Sequence, residues 1–188
     1  GVTVSKEQKQ FIDEKYADLP ITVHLQDYRV LDTRFDRIAS VGMFEHVGHK
    51  NHRTFMKVAR RCLKPDGLLL LHTIGKNASN TTCDPWIEKY IFPNGDLPSN
   101  GQICNAAENL LIVEDLHNFG SDYDRTLMAW YARFEQNWKA FAGRFDDTFY
   151  RMWRYYLLSC AGAFRARHIQ LWQWIFSDKL TGGVQRVS

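Results

Sequence analysis

Cysteine pairs, long apolar runs and polybasic segments are missing from this 188-residue sequence. The four cysteines stand about twenty residues apart or more and form no CxxC motif, so we predict free thiols and no metal site. No apolar run approaches the roughly 18 residues that span a bilayer, and no signal peptide is recognisable. The net charge of +3 is mild and weak evidence for nucleic acid. We therefore expect a soluble, cytoplasmic domain with no nucleic-acid partner.

A glycine-rich nucleotide loop is also missing, because no GxG occurs among the twelve glycines. A doubly wound α/β sheet normally begins with a strand followed by such a loop. This sequence opens instead with Val2-Thr3-Val4, which is typical of the end of a strand already in progress. We therefore expect the chain to start inside a domain whose first strand and glycine-rich loop are absent.

The remaining pattern alternates helices and strands. It predicts a helix from Ser5 to before Pro20, strands at 21–25 and 35–42, a helix at 51–63, strands at 68–71 and 110–113, two helices within 124–167, and a last strand at 169–176. Buried-type strands in this order favour a parallel, doubly wound sheet with helices on both faces. We expect one domain over 1–188, with a lid at 76–105, where no period is clear and a short apolar helix fits 86–92.

The stretch 35–48 is the first candidate for a functional site. Its strand ends in apolar residues followed at once by Glu45 and His46. Ligands of open α/β sheets collect at the carboxyl ends of strands, so this carboxylate and imidazole are placed for binding. The alternative is that either residue only caps the next helix.

Four separated segments resemble a known family. They are SVGMFEHVG at 40–48, LHTIG at 71–75, HNFGSDYDRTLMAWYARF at 117–134, and CAGAFRAR followed by HIQLWQ at 160–173. These segments resemble the cyclopropane-fatty-acyl-phospholipid synthases, which with the mycolic-acid cyclopropane synthases are S-adenosylmethionine-dependent methyltransferases. The resemblance spans the chain and implies a Rossmann-like class I methyltransferase sheet, truncated at its N-terminus. Because family members are about twice as long, the chain resembles their C-terminal half.

The resemblance implies an enzyme that transfers a methylene from S-adenosylmethionine to the cis double bond of an unsaturated phospholipid acyl chain. The π-electrons attack the sulfonium methyl, a base removes a proton from it, and the ring closes. The implied base is a bound bicarbonate, held by Glu45, His72 and Tyr123 with the backbone at Ile74. Glu45 can accept the ion's hydroxyl proton, while His72 and Tyr123 can donate to its oxygens. Taken singly, these three side chains would be a helix-end charge, a core histidine and an ordinary aromatic.

The resemblance also implies secondary contacts to S-adenosylmethionine from residues that follow three strands. These residues are Thr3, Val4, Gln8, Gln26, Asp27, Gly42 and His46. A capping box alone also explains Gln8, and packing alone explains Gly42.

Aromatic residues recur at helical spacing in 127–141 and 149–164, which favours a role in the core. If part of these stripes stays exposed, it would contact a bilayer or another domain. Tyr123 is the one aromatic that we expect to stabilise a carbocation through its ring face.

The resemblance thus predicts a peripheral protein at the inner membrane surface. Two alternatives are a related lipid or small-molecule methyltransferase and a folded but inactive fragment. An open sheet edge would also permit a homodimer.

Overall fold

The computed structural model of the protein describes residues 1–81 and 83–184, so residue 82 of the predicted lid and residues 185–188 lie outside the described part. The strands are β1 (Val2–Thr3), β2 (His24–Leu25), β3 (Phe35–Val41), β4 (Leu63–Lys76), β5 (Ile112–Asn118) and β6 (Ile169–Ser177). The helices are α1 (Lys6–Lys15), α2 (His52–Cys62), α3 (Pro85–Tyr90), α4 (Asn100–Ala107), α5 (Gly120–Phe141) and α6 (Asp147–Arg165).

The main sheet has four strands in the order β3-β4-β6-β5. β3 and β4 are parallel, whereas β6 is antiparallel to both of its neighbours. The sheet is therefore mixed, and the expectation of an entirely parallel sheet is wrong at β6. The reason is that β5 and β6 are joined by two antiparallel helices instead of one, as the pairing of Asp124 with Arg165 and of Phe134 with Tyr150 shows. Two helices return the chain to the end of the sheet where β5 finished, so β6 must run the opposite way.

A separate pair of parallel strands, β1 and β2, precedes the main sheet. Between them lies α1, which begins as predicted, with the Ser5 hydroxyl accepting the amide proton of Gln8. The helix buries none of its residues, and Phe11 is 54% exposed. β2 is shorter than the predicted strand at 21–25, and Ile21 lies outside it.

One face of the sheet is covered by α2 and α4. Apolar side chains of both helices meet the sheet in a cluster that contains Phe44, Phe55, Met56, Leu69, Leu71, Ile103, Trp172, Trp174 and Phe176. Burying each of these side chains contributes about 1.5–3 kcal/mol. The sequence did not predict α4, although Ser99 and Gln102 form a capping box at its start.

The other face of the sheet is covered at its carboxyl end by the hairpin of α5 and α6. Leu127, Leu157, Ala161 and Phe164 are buried there with Leu171 of β6. The predicted core stripes are therefore buried only near the sheet. Further along the hairpin the aromatic side chains are more exposed to solvent, since Trp130 is 43% exposed and Trp138 is half-buried. Among the described residues, no helix is long and apolar enough to cross a membrane.

Candidate active site

A cavity of about 830 Å³ lies at the carboxyl ends of β3 and β4. Its other walls are formed by the α5–α6 hairpin, by His168 and Ile169, and by side chains from 76–80 and 83–97. Predicted site residues that line it are Gly42, Glu45, His46, Ile74 and Tyr123. Its remaining walls are mainly apolar and aromatic, which suits a hydrocarbon ligand with a few polar groups at one end.

Glu45 is the buried charge of this cavity. It lies in a 3₁₀ turn, Phe44–His46, directly after β3, and is only 7% exposed. Its Oε1 accepts a 2.7 Å hydrogen bond from the Ile74 amide, while Oε2 is buried without a partner. A buried carboxylate oxygen without a partner is costly. Glu45 therefore has one oxygen held by the fold and one available to a ligand that can donate a proton.

His72 lies on β4, on the same face as Ile74 and two residues before it. Its Nδ1 lies 3.0 Å from Nε2 of Gln173 on β6, and its carbonyl accepts the Gly42 amide at 3.1 Å. The ring is thus half-buried and held from one side. The Ile74 amide is engaged by Glu45, and the Ile74 carbonyl accepts the Thr73 hydroxyl at 3.1 Å.

Tyr123 lies in the first turn of α5, whereas the sequence placed it in the loop beyond a strand. Its ring meets Phe164 and Trp130 edge to face, with centroids 5.1 Å and 5.9 Å apart. Burial raises the pKa of its hydroxyl, and Cys160 and Glu45 raise it further. The hydroxyl is therefore protonated at neutral pH and able to donate a hydrogen bond into the cavity.

Gly42 and His46 line the same cavity on either side of the turn that follows β3. Gly42 has φ +62°, a left-handed conformation that favours glycine, and no atom lies within 4 Å of the place where a Cβ would stand. A ligand can therefore approach the backbone closely at Gly42. His46 is exposed and faces the ring of Phe92 at 6.1 Å.

The other predicted cofactor contacts lie around β1 and β2 and do not line the cavity. Thr3 donates to the Gln8 side chain at 2.7 Å, and its carbonyl accepts the Gln26 amide at 3.0 Å. Asp27 caps the next turn, and its hydrogen bonds to Arg29 lower its pKa. Val4 is 77% exposed. The predicted residues thus fall into three groups: five that line the cavity, His72 on β4 outside the cavity lining, and the rest on the strand pair.

Asp96 ties the segment over the cavity to the turn that carries Glu45. Its amide donates to the Glu45 carbonyl at 2.8 Å, and one carboxylate oxygen lies 2.8 Å from His49 Nδ1 and accepts the His49 amide. Burial opposes ionisation, but the hydrogen bonds from His49 and the charges of Lys76 and His49 together outweigh it and lower the pKa of Asp96.

Two further groups in the cavity wall are uncharged at neutral pH. Burial raises the pKa of Cys160 to about 11 and that of Tyr156 to about 12. A neutral thiol and phenol keep this wall compatible with an apolar ligand.

Gln173 makes a contact in the site that the sequence did not predict. It is a polar residue within the apolar run Leu171–Phe176, and a polar side chain in a buried strand usually has a partner. That signal was present, but its partner His72 lies 101 positions away.

Comparison with solved structures defines the class of the fold. The cyclopropane synthase MmaA2 from Mycobacterium tuberculosis superposes with a TM-score of 0.83 at 27% identity, covering 94% of this chain and 68% of that one. The mycolic acid cyclopropane synthase CmaA1, solved with SAH and CTAB, gives 0.81 at 30% identity over the same shares. The fold is that of the class I S-adenosylmethionine-dependent methyltransferases, and the prediction of this α/β fold is confirmed.

The sequence identifies the family within that class. The family model described as mycolic acid cyclopropane synthetase matches residues 1–174, and the chain belongs to this family. It is 55% identical over 185 residues to the cyclopropane-fatty-acyl-phospholipid synthase of Escherichia coli (strain K12). That match covers 98% of this chain but 48% of the E. coli protein, so the chain spans about half the length of that relative.

Proposed function

We propose that this chain carries the catalytic residues of a cyclopropane fatty acid synthase. The substrate would be an unsaturated phospholipid acyl chain, with S-adenosylmethionine supplying the methyl group and bicarbonate the proton-accepting oxygen. The observation that carries the proposal is the partnerless, buried Oε2 of Glu45 in an apolar cavity that also contains Tyr123. A simple N- or O-methyl transfer has no need of a buried acceptor for a bound ion.

The residues present fit a bicarbonate ion. The Oε2 atom of Glu45 would accept the ion's single hydroxyl proton, and the Tyr123 hydroxyl would donate to one of its oxygens. His72 is not among the residues that line the cavity, and in this proposal its N–H reaches the ion from β4. The Ile74 amide contributes indirectly, since it fixes Oε1 of Glu45 and so directs the other oxygen away from the strand. No carboxylate other than Glu45 is nine-tenths buried among the described residues.

The residues around Gly42 and along the β1–β2 pair fit S-adenosylmethionine in part. Gly42 leaves its backbone open to a ligand, and His46 borders the same space. Thr3, Val4, Gln8, Gln26 and Asp27 would contact the adenosine portion from the strand pair.

The part of the predicted 76–105 lid that ends at Leu97 acts as the lid in this proposal, since residues 100–105 belong to α4 on the other face of the sheet. The hairpin within 124–167 acts as the opposite wall. Ala78, Cys83, Ile87, Phe92 and Leu97 line the cavity from the lid side. Closing these apolar groups over the acyl chain excludes water, which would otherwise capture a carbocation.

The same proposal places the protein at a membrane surface, because its substrate is a phospholipid. The far end of the hairpin exposes Phe141 and Phe145, 41% and 43% respectively, beside Lys139 and Arg144. Aromatic rings with flanking cations suit an anionic bilayer surface. Flotation with liposomes of anionic phospholipid tests this, and loss of binding in a Phe141→Ser, Phe145→Ser variant is the expected result.

Self-association at the free sheet edge is a further part of the proposal. β3 pairs only with β4 among the described strands, and Val41 is 65% exposed. An open strand edge favours pairing with another chain. Light scattering should then give twice the 22.0 kDa of one chain, and a monomer at all concentrations would refute this part.

The decisive experiment incubates the chain with S-adenosylmethionine, bicarbonate and vesicles of unsaturated phospholipid. The expected product gains one methylene and resists hydrogenation as a cyclopropane does, whereas a methylated alkene would be hydrogenated. Glu45→Gln keeps the acceptor for the Ile74 amide but replaces Oε2 with a donor, so activity should fall roughly tenfold to hundredfold. The control Glu108→Gln removes an exposed carboxylate and should have no effect.

Cofactor binding is measured separately by calorimetric titration with S-adenosylmethionine. Saturable binding that Gln26→Ala and Asp27→Ala weaken would support the strand-pair contacts. Binding without product would favour the inactive-fragment alternative, and an alkene product methylated on carbon would favour the related methyltransferase.

A further inference from the structure

His72 and Gln173 face each other across the two central strands of the main sheet. They are Cα partners in the antiparallel ladder of β4 and β6, and Gln173 Nε2 lies 3.0 Å from His72 Nδ1. β6 is hydrogen-bonded to β4 on one side and to β5 on the other. The backbone that carries Gln173 is therefore held from both sides, which makes its side chain a well-positioned donor.

The chemistry of the two groups assigns the proton on the imidazole. An amide nitrogen donates and cannot accept, so His72 Nδ1 must be the acceptor in this contact. A neutral imidazole carries one ring proton, which then resides on Nε2.

We propose that Gln173 is a positioning residue that holds His72 in its Nε2–H tautomer. This inference rests on the proposed function, in which His72 donates to an anion held with Glu45. The other tautomer would turn a lone pair of Nε2 toward the ion's oxygens and weaken its binding. Gln173 acts only through His72, and neither side chain is among those that line the cavity.

The test is ¹⁵N NMR of the chain labelled at histidine, recorded at pH 8. The chain has seven histidines, so the His72 signals are assigned by their loss in a His72→Asn variant. The expected result is a pyrrole-type Nε2 and a pyridine-type Nδ1 for His72. Gln173→Glu replaces the donor with an acceptor of the same size, so the proton should move to Nδ1. Gln136→Glu, at an exposed position of α5, adds the same charge and should leave the tautomer unchanged.

A bicarbonate titration of the same samples separates this inference from the proposed function. Gln173→Leu adds no charge. The affinity for bicarbonate, measured from its effect on the His72 Nε2 signal, should fall roughly tenfold in this variant. A wild-type His72 protonated on Nδ1, or a tautomer that Gln173→Glu does not move, would overturn the inference. If the tautomer moves as expected but bicarbonate has no effect on any sample, Gln173 positions His72 and the proposed ion site is wrong.

Discussion

His52 is a titratable side chain that the fold buries without a hydrogen-bond partner. It is 2% exposed, its ring stacks on Phe44 at 4.2 Å, and neither ring nitrogen is satisfied. Burial lowers its pKa from 6.5 to about 4, although Asp96 raises it and His49 lowers it further. The folded pKa lies below the unfolded one, so the unfolded chain binds more protons. Stability therefore falls as the pH decreases through the window from about 6.5 to 4.

The size of this effect follows from the two pKa values. At pH 5.5 nearly all unfolded chains carry the proton and few folded ones do, which costs about 1.4 kcal/mol. At pH 4 the cost reaches about 3 kcal/mol, a large part of the roughly 5–15 kcal/mol that stabilises a typical domain. The pKa of Asp96 is lowered from 3.8, so Asp96 titrates below this window. The His52 contribution is measured as a difference between variants.

The variant His52→Phe isolates this contribution. It keeps a planar ring against Phe44 and removes both the titration and the two unsatisfied nitrogens. Urea unfolding at pH 7.5 and 5.5 should show the wild type losing about 1.4 kcal/mol more than the variant between these pH values. At pH 7.5 the variant should be as stable as the wild type or about 1 kcal/mol more stable. His24→Phe makes the same substitution on exposed β2 as a control. Equal losses in wild type and His52→Phe would refute the reasoning.

Three further predictions concern packing and reactivity. Gly75→Ala should lower the free energy of unfolding in urea by about 3 kcal/mol or more, because a Cβ there would meet the ring of Trp172 and stand 2.6 Å from the Pro98 carbonyl oxygen. The control Gly162→Ala has open space around it and should leave the free energy of unfolding unchanged or raise it. Phe164→Ala should cost about 3–5 kcal/mol, since Phe164 is 1% exposed and its loss leaves a cavity under the hairpin; a smaller loss would mean that the hairpin collapses onto the space. Iodoacetamide at pH 8 should alkylate Cys160 about a hundredfold more slowly than exposed Cys104. The reason is that raising the pKa of Cys160 from 9.0 to about 11 lowers its thiolate fraction about a hundredfold. Peptide mass spectrometry measures both rates, and equal rates would contradict the burial of Cys160.

Local sequence patterns were sufficient to predict some elements whose ends are marked by capping residues. α1 begins at a capping side chain, Ser5, and the sequence placed its start within a residue of the observed one. α4 was missed because Asn100 and Gly101 at its start interrupt the apolar period, although its capping box was legible. The direction of β6 could not be read locally, since it depends on how two long helices pack after β5.

The candidate site also contains residues that the sequence predicted and one that it did not. Glu45 was predicted from the end of a strand and Ile74 from the family resemblance, and the structure joins them by a hydrogen bond. Tyr123 was predicted as a site residue but placed in a loop, because the helix that holds it begins at Gly120, a weak helix former. Gln173 was not predicted, since its role depends on the register between β4 and β6, which the sequence does not display.

The position of β6 has a consequence for how the protein is made. β4 and β5 never pair directly, because β6, which follows all the others in this chain, lies between them and pairs with both. During synthesis β4 and β5 therefore emerge before β6, the strand that pairs with both. Contacts of such long sequence separation form slowly. The groups of the candidate site on β3 and β4 leave the ribosome early, yet His72 gains its partner only with the arrival of Gln173. A chain stalled before β6 would expose two aggregation-prone edges and lack an oriented His72, so completion of the site coincides with closure of the sheet.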